Sequence, residues 1–177
     1  MTVTWRTTRP GADEHAPYYQ PYLDALSQGD VIEILEHQLS GTSLLLDGVS
    51  ADKADHRYAP GKWSVKEVIG HLADSERVFA YRALRFARAD ATDLPGFDEN
   101  AWMPAAFFNA RPLADIAGEF AAVRRASLAL FRSFDDNAAV RRGTANGRAI
   151  SVRALVAITA GHERHHLKVL KERYGVG

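Results

Sequence analysis

The sequence predicts an all-α fold, a four-helix bundle with one long crossover loop between helices 2 and 3. Three observations carry that prediction. Four segments place apolar residues at helical spacing, little of the chain reads as strand, and the connection over residues 89–112 is far longer than the others. A chain of 177 residues is expected to be one domain, 1–177, burying roughly two-thirds of its unfolded surface. Residues 1–19 stand apart as an N-terminal extension.

The first helix is expected over about 30–47, where Val31, Ile34, Leu35, Gln38 and Leu39 recur at helical offsets and Asp30 suits an N-cap. ADKADHRYAPGKW, residues 51–63, holds Pro60 and Gly61 and reads as a loop. The second helix, about 64–88, opens with Ser64 and Glu67 in the S-x-x-E pattern of a capping box. Trp63 before it fits a hydrophobic staple or a rim position. Residues 89–112 carry three prolines and no sustained period, and a loop that long is usually functional or wraps the fold. The third helix, about 113–134, buries Ile116, Phe120, Val123, Leu128 and Phe131. The link after it contains Asn146-Gly147, which fits a short hairpin. The fourth helix, about 151–174, starts at a Ser151 cap, and Gly175 can end it.

Composition removes several function classes. Lys and Arg total 22 and so do Asp and Glu, so no basic footprint points to nucleic acid or to an anionic membrane. No apolar run approaches ~18 residues, and MTVTWRTTRPGADE lacks a signal-peptide core, so a cytoplasmic location is the default. Cysteine is absent, which excludes disulfides, thiolate metal sites and a thiol nucleophile of the chain's own. A metal here would rest on His, Asp and Glu.

Three of the seven histidines, His162, His165 and His166, crowd into GHERHHLKVLKERYG. His162 and His166 are four apart, so on a helix they share a face and can bind one divalent ion. That face also carries Leu155 and Thr159, so it should point inward. His71, in EVIGHLADSE, is flanked by Val68, Leu72 and Ser75 and also points to the core. If the second and fourth helices run antiparallel, His71 and His166 fall at one level. A plain hydrogen-bonded core histidine is the competing account of His71, and a wet basic face that of the other pair.

KWSVKEVIGHLADSERVFAYR, PGFDENAW and ISVRALVAITAGHERHHLKVLKERYG resemble the DinB family, most closely its YfiT-type branch, from about residue 20 onward. The resemblance implies an up-down-down-up bundle holding one divalent ion through His71, His162 and His166. It also implies activities: thiol-dependent S-transfer with bacillithiol, a mycothiol-dependent isomerisation, or metal-dependent hydrolysis. Three imidazoles leave a coordination position open for water or a thiol, and nitrogen-only ligands suit zinc, nickel or another late first-row metal. A small-molecule substrate is therefore expected, as is a homodimer on the family's habit. A non-catalytic metal-binding or stress-response module is the alternative.

Other residues are candidates without an assigned catalytic role. His165 fits a structural or ligand-supporting place, or substrate binding. Glu163 and Arg164 are expected on the solvated face. Asp74 either orients the His71 imidazole or pairs with Arg77 or Arg82. Asp98, Glu99 and Trp102 either cover the metal mouth, as base or substrate clamp, or merely pin the long loop.

Overall fold

A computed structural model describes residues 4–177 of the chain. Four long helices form a bundle: α1 (Val31–Asp47), α2 (Val65–Ala87), α3 (Leu113–Arg132) and α4 (Val152–Val169). Three of them start where a side chain meets an otherwise orphaned N–H. Asp30 accepts from the Ile32 N–H at 2.7 Å and Ser151 Oγ from the Ala154 N–H at 3.1 Å. At α2 the capping box is reciprocal: Ser64 Oγ accepts from the Glu67 N–H at 3.1 Å, and Glu67 Oε2 accepts from the Ser64 N–H at 2.7 Å. α4 continues into a wider π-helical turn, Leu170–Tyr174, which Gly175 ends at φ +64°.

Side-chain contacts fix the directions. The Tyr174 hydroxyl donates to Trp63 O at 2.7 Å, whereas Phe79, further along α2, meets the ring of His162; α2 and α4 are antiparallel. Gln38 donates to Ala160 O and Thr42 to Glu163 Oε1, so α1 and α4 run together. Val68 and Leu72 share one apolar cluster with Ile116 and Phe120, while Phe86 shares the other with Phe131. α2 and α3 are therefore parallel, and the topology is up-down-down-up.

The parallel pair requires the long crossover, which carries a short helix at Glu99–Ala106 and a turn at Phe108–Ala110. Eight residues span too few turns to display a period, which is why the sequence pattern does not register them. Asp98 caps that helix by accepting from the N–H groups of Asn100 and Ala101 at 2.9 and 3.2 Å. The fold is not wholly helical. β1 (Arg142–Ala145) and β2 (Arg148–Ser151) form an antiparallel hairpin whose turn residues, Asn146 and Gly147, both have positive φ. Leu94 ties the crossover to this hairpin, donating to Thr144 O at 2.9 Å and accepting from the Asn146 N–H at 3.0 Å.

Within the N-terminal extension, residues 1–3 lie outside the described part. From Thr4 onward the segment is a strap. The buried Trp5 donates through Nε1 to Phe134 O at 3.2 Å, Glu14 pairs with Arg153, and the short helix Gln20–Asp24 lies against α4. No helix among the described residues is long and apolar enough to cross a membrane.

Candidate metal centre

The antiparallel packing of α2 on α4 brings His71, His162 and His166 together. His71 Nε2 and His166 Nε2 each lie 3.1 Å from His162 Nε2. One nitrogen from each of the three lies within 4.8 Å of the others. His71 and His162 are buried and His166 half-buried. Burial disfavours the charged imidazolium. It lowers His71 to about 4, and with repulsion from His71 and His165 it lowers His166 to about 3. Burial and the other three rings hold His162 well below the ordinary histidine value. At neutral pH all three are uncharged, the form that ligates a cation. Neutral rings have one N–H each, so nitrogens converging on a point cannot all satisfy one another. Zinc–imidazole bonds of about 2.05 Å at tetrahedral angles separate the nitrogens by about 3.3 Å, close to the two spacings to His162 Nε2. The donor set fits a divalent cation.

Aromatic rings brace the three imidazoles. Trp63 lies over His71 at 4.8 Å, and Tyr22 and Phe79 set their edges against His162 at 5.4 and 5.7 Å. Two glycines admit the bracing elements. A Cβ on Gly161 would sit 2.1 Å from the Tyr22 carbonyl oxygen, and one on Gly70 would sit 2.4 Å from the Phe108 ring. Each glycine directly precedes a clustered histidine, so strap and crossover close on the site at matching places.

Beside the histidines opens a cavity of about 350 Å³, walled by Tyr18, Tyr19, Tyr22, Phe79, Arg82 and Phe97, among others. His165 is exposed on its wall, with its ring 5.3 Å from Tyr22 and 5.1 Å from His166. Glu99 also lines it and is the one carboxylate among the lining residues described. Asp98 does not reach the cavity; it is an exposed helix cap. Trp102 stacks on Phe97 at 4.8 Å and holds the crossover rather than the histidines. Asp74 pairs with Arg77 at 3.0 Å and makes no hydrogen bond to His71 among the described residues. Ser75 takes that place instead, its Oγ 3.4 Å from His71 Nδ1.

Residues 34–170 match the DinB superfamily. The chain belongs to the DinB superfamily. No curated protein matches the sequence. Among solved structures it resembles YfiT from Bacillus subtilis, described as a probable metal-dependent hydrolase with an unusual four-helix bundle topology. The TM-score is 0.72 at 18% identity, over 96% of this chain and 95% of that one. At that identity the likeness is one of fold.

In this DinB-superfamily chain a second polar cluster lies at the bundle centre, and Glu163 belongs to it rather than to the solvated face. Glu163 is 1% exposed, whereas Arg164 is exposed as expected. Arg124 of α3, fully buried, donates from Nε and Nη2 to Glu76 at 2.8 Å each, and its Nη1 lies 2.7 Å from Glu163. Arg124 Nη1 also donates to Leu35 O at 3.2 Å, and Thr42 to Glu163 at 2.6 Å. One guanidinium thus joins all four helices. The available signal was Arg124 itself, a charge one turn from Phe120 and from Leu128 on an apolar stripe. The cavity tyrosines come from PYYQPY, residues 17–22, which spans the end of the extension and the start of the short helix.

Proposed function

We propose that this chain is a metal-dependent enzyme in which His71, His162 and His166 hold one divalent cation beside a bound small molecule. The observation that carries the reading is the convergence of three uncharged, braced imidazoles at the edge of a 350 Å³ cavity. Bound there, the cation would lower the pKa of a water or an external thiol held against it.

The chain's own groups supply the rest. Trp63, Phe79 and Tyr22 fix the imidazole orientations and keep water from the backs of the rings. Glu99 and His165, on the cavity wall, are the groups able to take up the nucleophile's proton. Transfer of a low-molecular-weight thiol, such as bacillithiol or mycothiol, to an electrophile is the leading form of the reading. A chain without cysteine must import its sulfur, and the cavity of about 350 Å³ lies beside the histidines to receive it. Hydrolysis is the second form, favoured by the description of YfiT. Nitrogen donors fit zinc or nickel. A cytoplasmic location and a homodimer complete the proposal, the latter checked by sedimentation.

The test is a panel of bacillithiol, mycothiol and glutathione against an activated aryl chloride, with a nitrophenyl ester for hydrolysis. It is run on zinc-loaded, nickel-loaded and chelated protein. Turnover should require the metal and vanish in a folded His71→Ala variant; equal turnover in that variant ends the proposal. Tightly held, unexchanging metal without turnover would instead identify a non-catalytic module.

A further inference from the structure

Arg82 is the one guanidinium on the cavity wall, and it is 3% exposed. A buried cation is costly unless paired. Its more exposed neighbours along α2 are nonetheless paired: Arg77 with Asp74 and Glu119, and Arg85 with Asp90. Arg82 has no carboxylate partner among the described residues. It donates from Nη2 to Pro95 O at 2.7 Å, it has the neutral Tyr19 hydroxyl as a second partner, and its Cζ lies 5.7 Å from the Phe97 ring. A guanidinium has five N–H donors in a planar fork, so these two neutral contacts leave donors for a guest and its charge unmatched. Glu99 lines the same cavity and forms no ion pair with it.

Position completes the argument. Arg82 lies about three turns beyond His71 on the same face of α2, ~16 Å along the axis. Between the two, Phe79 and Tyr19 supply aromatic wall, with ring centroids 6.5 Å apart. The cavity thus has His71 and Arg82 on one helix face, with aromatic rings between them.

We propose that Arg82 is the anion-binding end of this site, and that its ligand is an elongated organic carboxylate whose apolar body runs along Phe79 and Tyr19 toward the histidines. The carboxylate replaces the missing partner of a desolvated guanidinium, a charge-assisted and geometrically matched contact. The inference rests on the metal-enzyme reading only for what lies at the histidine end.

The test titrates ω-mercaptocarboxylates of four to eleven carbons, with mercaptoalcohols of equal length, into zinc-loaded and zinc-free protein by calorimetry. At one or more lengths the carboxylate should bind at least about tenfold tighter than the alcohol, the factor expected of one charge-assisted hydrogen bond. In Arg82→Gln, which keeps a donor for Pro95 O, that ratio should fall toward one while zinc content is unchanged. Zinc binding with no carboxylate preference at any length overturns the inference and leaves the metal reading standing. A carboxylate preference without zinc binding does the reverse. Should Arg82→Gln fail to fold, the wild-type ratio of carboxylate to alcohol decides alone.

Discussion

Arg124 Nη1 lies 2.7 Å from Glu163 Oε2, and Glu163 is the residue that follows His162 along α4. The contact sets one face of α4 against the bundle centre while the adjacent residue turns its imidazole toward α2. Burial pushes the Glu163 carboxyl up, and Arg124 opposes that. One guanidinium serves two buried carboxylates.

Removing the guanidinium should therefore be severe. Arg124→Met strands Glu76 and Glu163 in the interior and should cost roughly 3–5 kcal/mol, read by urea denaturation at pH 7. Glu76→Gln, which leaves the second carboxylate in place, should cost less. A loss under about 1 kcal/mol for Arg124→Met would mean that the cluster contributes little.

Gly161→Ala should destabilise the fold by about 1–3 kcal/mol, because its methyl meets the Tyr22 backbone rather than a flexible side chain. The strap should yield first, so limited proteolysis near residues 18–24 should quicken before global unfolding. Gly118→Ala, with nothing near its Cβ, is the control and should be neutral or stabilising.

Chelation should lower the melting temperature of zinc-loaded protein. A ligand bound only by the folded chain stabilises it by about 2.7 kcal/mol at a hundred times its dissociation constant. His71→Ala and His166→Ala should each abolish the difference between loaded and chelated samples in scanning calorimetry.

The metal-free protein should weaken in mild acid. Burial holds His71 at about 4 in the fold, against 6.5 in the unfolded chain. Below pH 6.5 the unfolded state takes up a proton that the folded state refuses, so this contribution is present above 6.5 and lost as pH falls toward 4. Urea midpoints measured from pH 7.5 to 4.5 should fall more steeply for the wild type than for His71→Ala.

Glu14 acts at lower pH. Burial raises its carboxyl, but hydrogen bonds from Arg153, the Gly11 N–H and Ser151 outweigh that and hold it at about 2. Its depressed value stabilises the fold above pH 4.5, and the contribution is lost as pH falls toward 2. The part-exposed Arg153 limits it to on the order of 1–2 kcal/mol. Glu14→Gln should flatten the stability profile in that window, followed by circular dichroism.

What the sequence determined by itself is what local chemistry dictates. Asp30, Ser64 with Glu67, Ser151 and Gly175 mark helix ends because a cap satisfies N–H and C=O groups within a few residues. Apolar spacing yields four long helices, Asn146-Gly147 turns a hairpin, and the four-residue step from His162 to His166 puts two imidazoles on one face. Tertiary packing decided the rest. His71 meets that pair only because α2 and α4 run antiparallel in register. Tyr18, Tyr19 and Tyr22 reach the cavity because a strap folds back over α4, and Glu163 is buried because Arg124 of α3 is there to receive it. Each of those outcomes joins residues far apart along the chain, and no periodicity within one helix encodes which charge or ring will face it across the core.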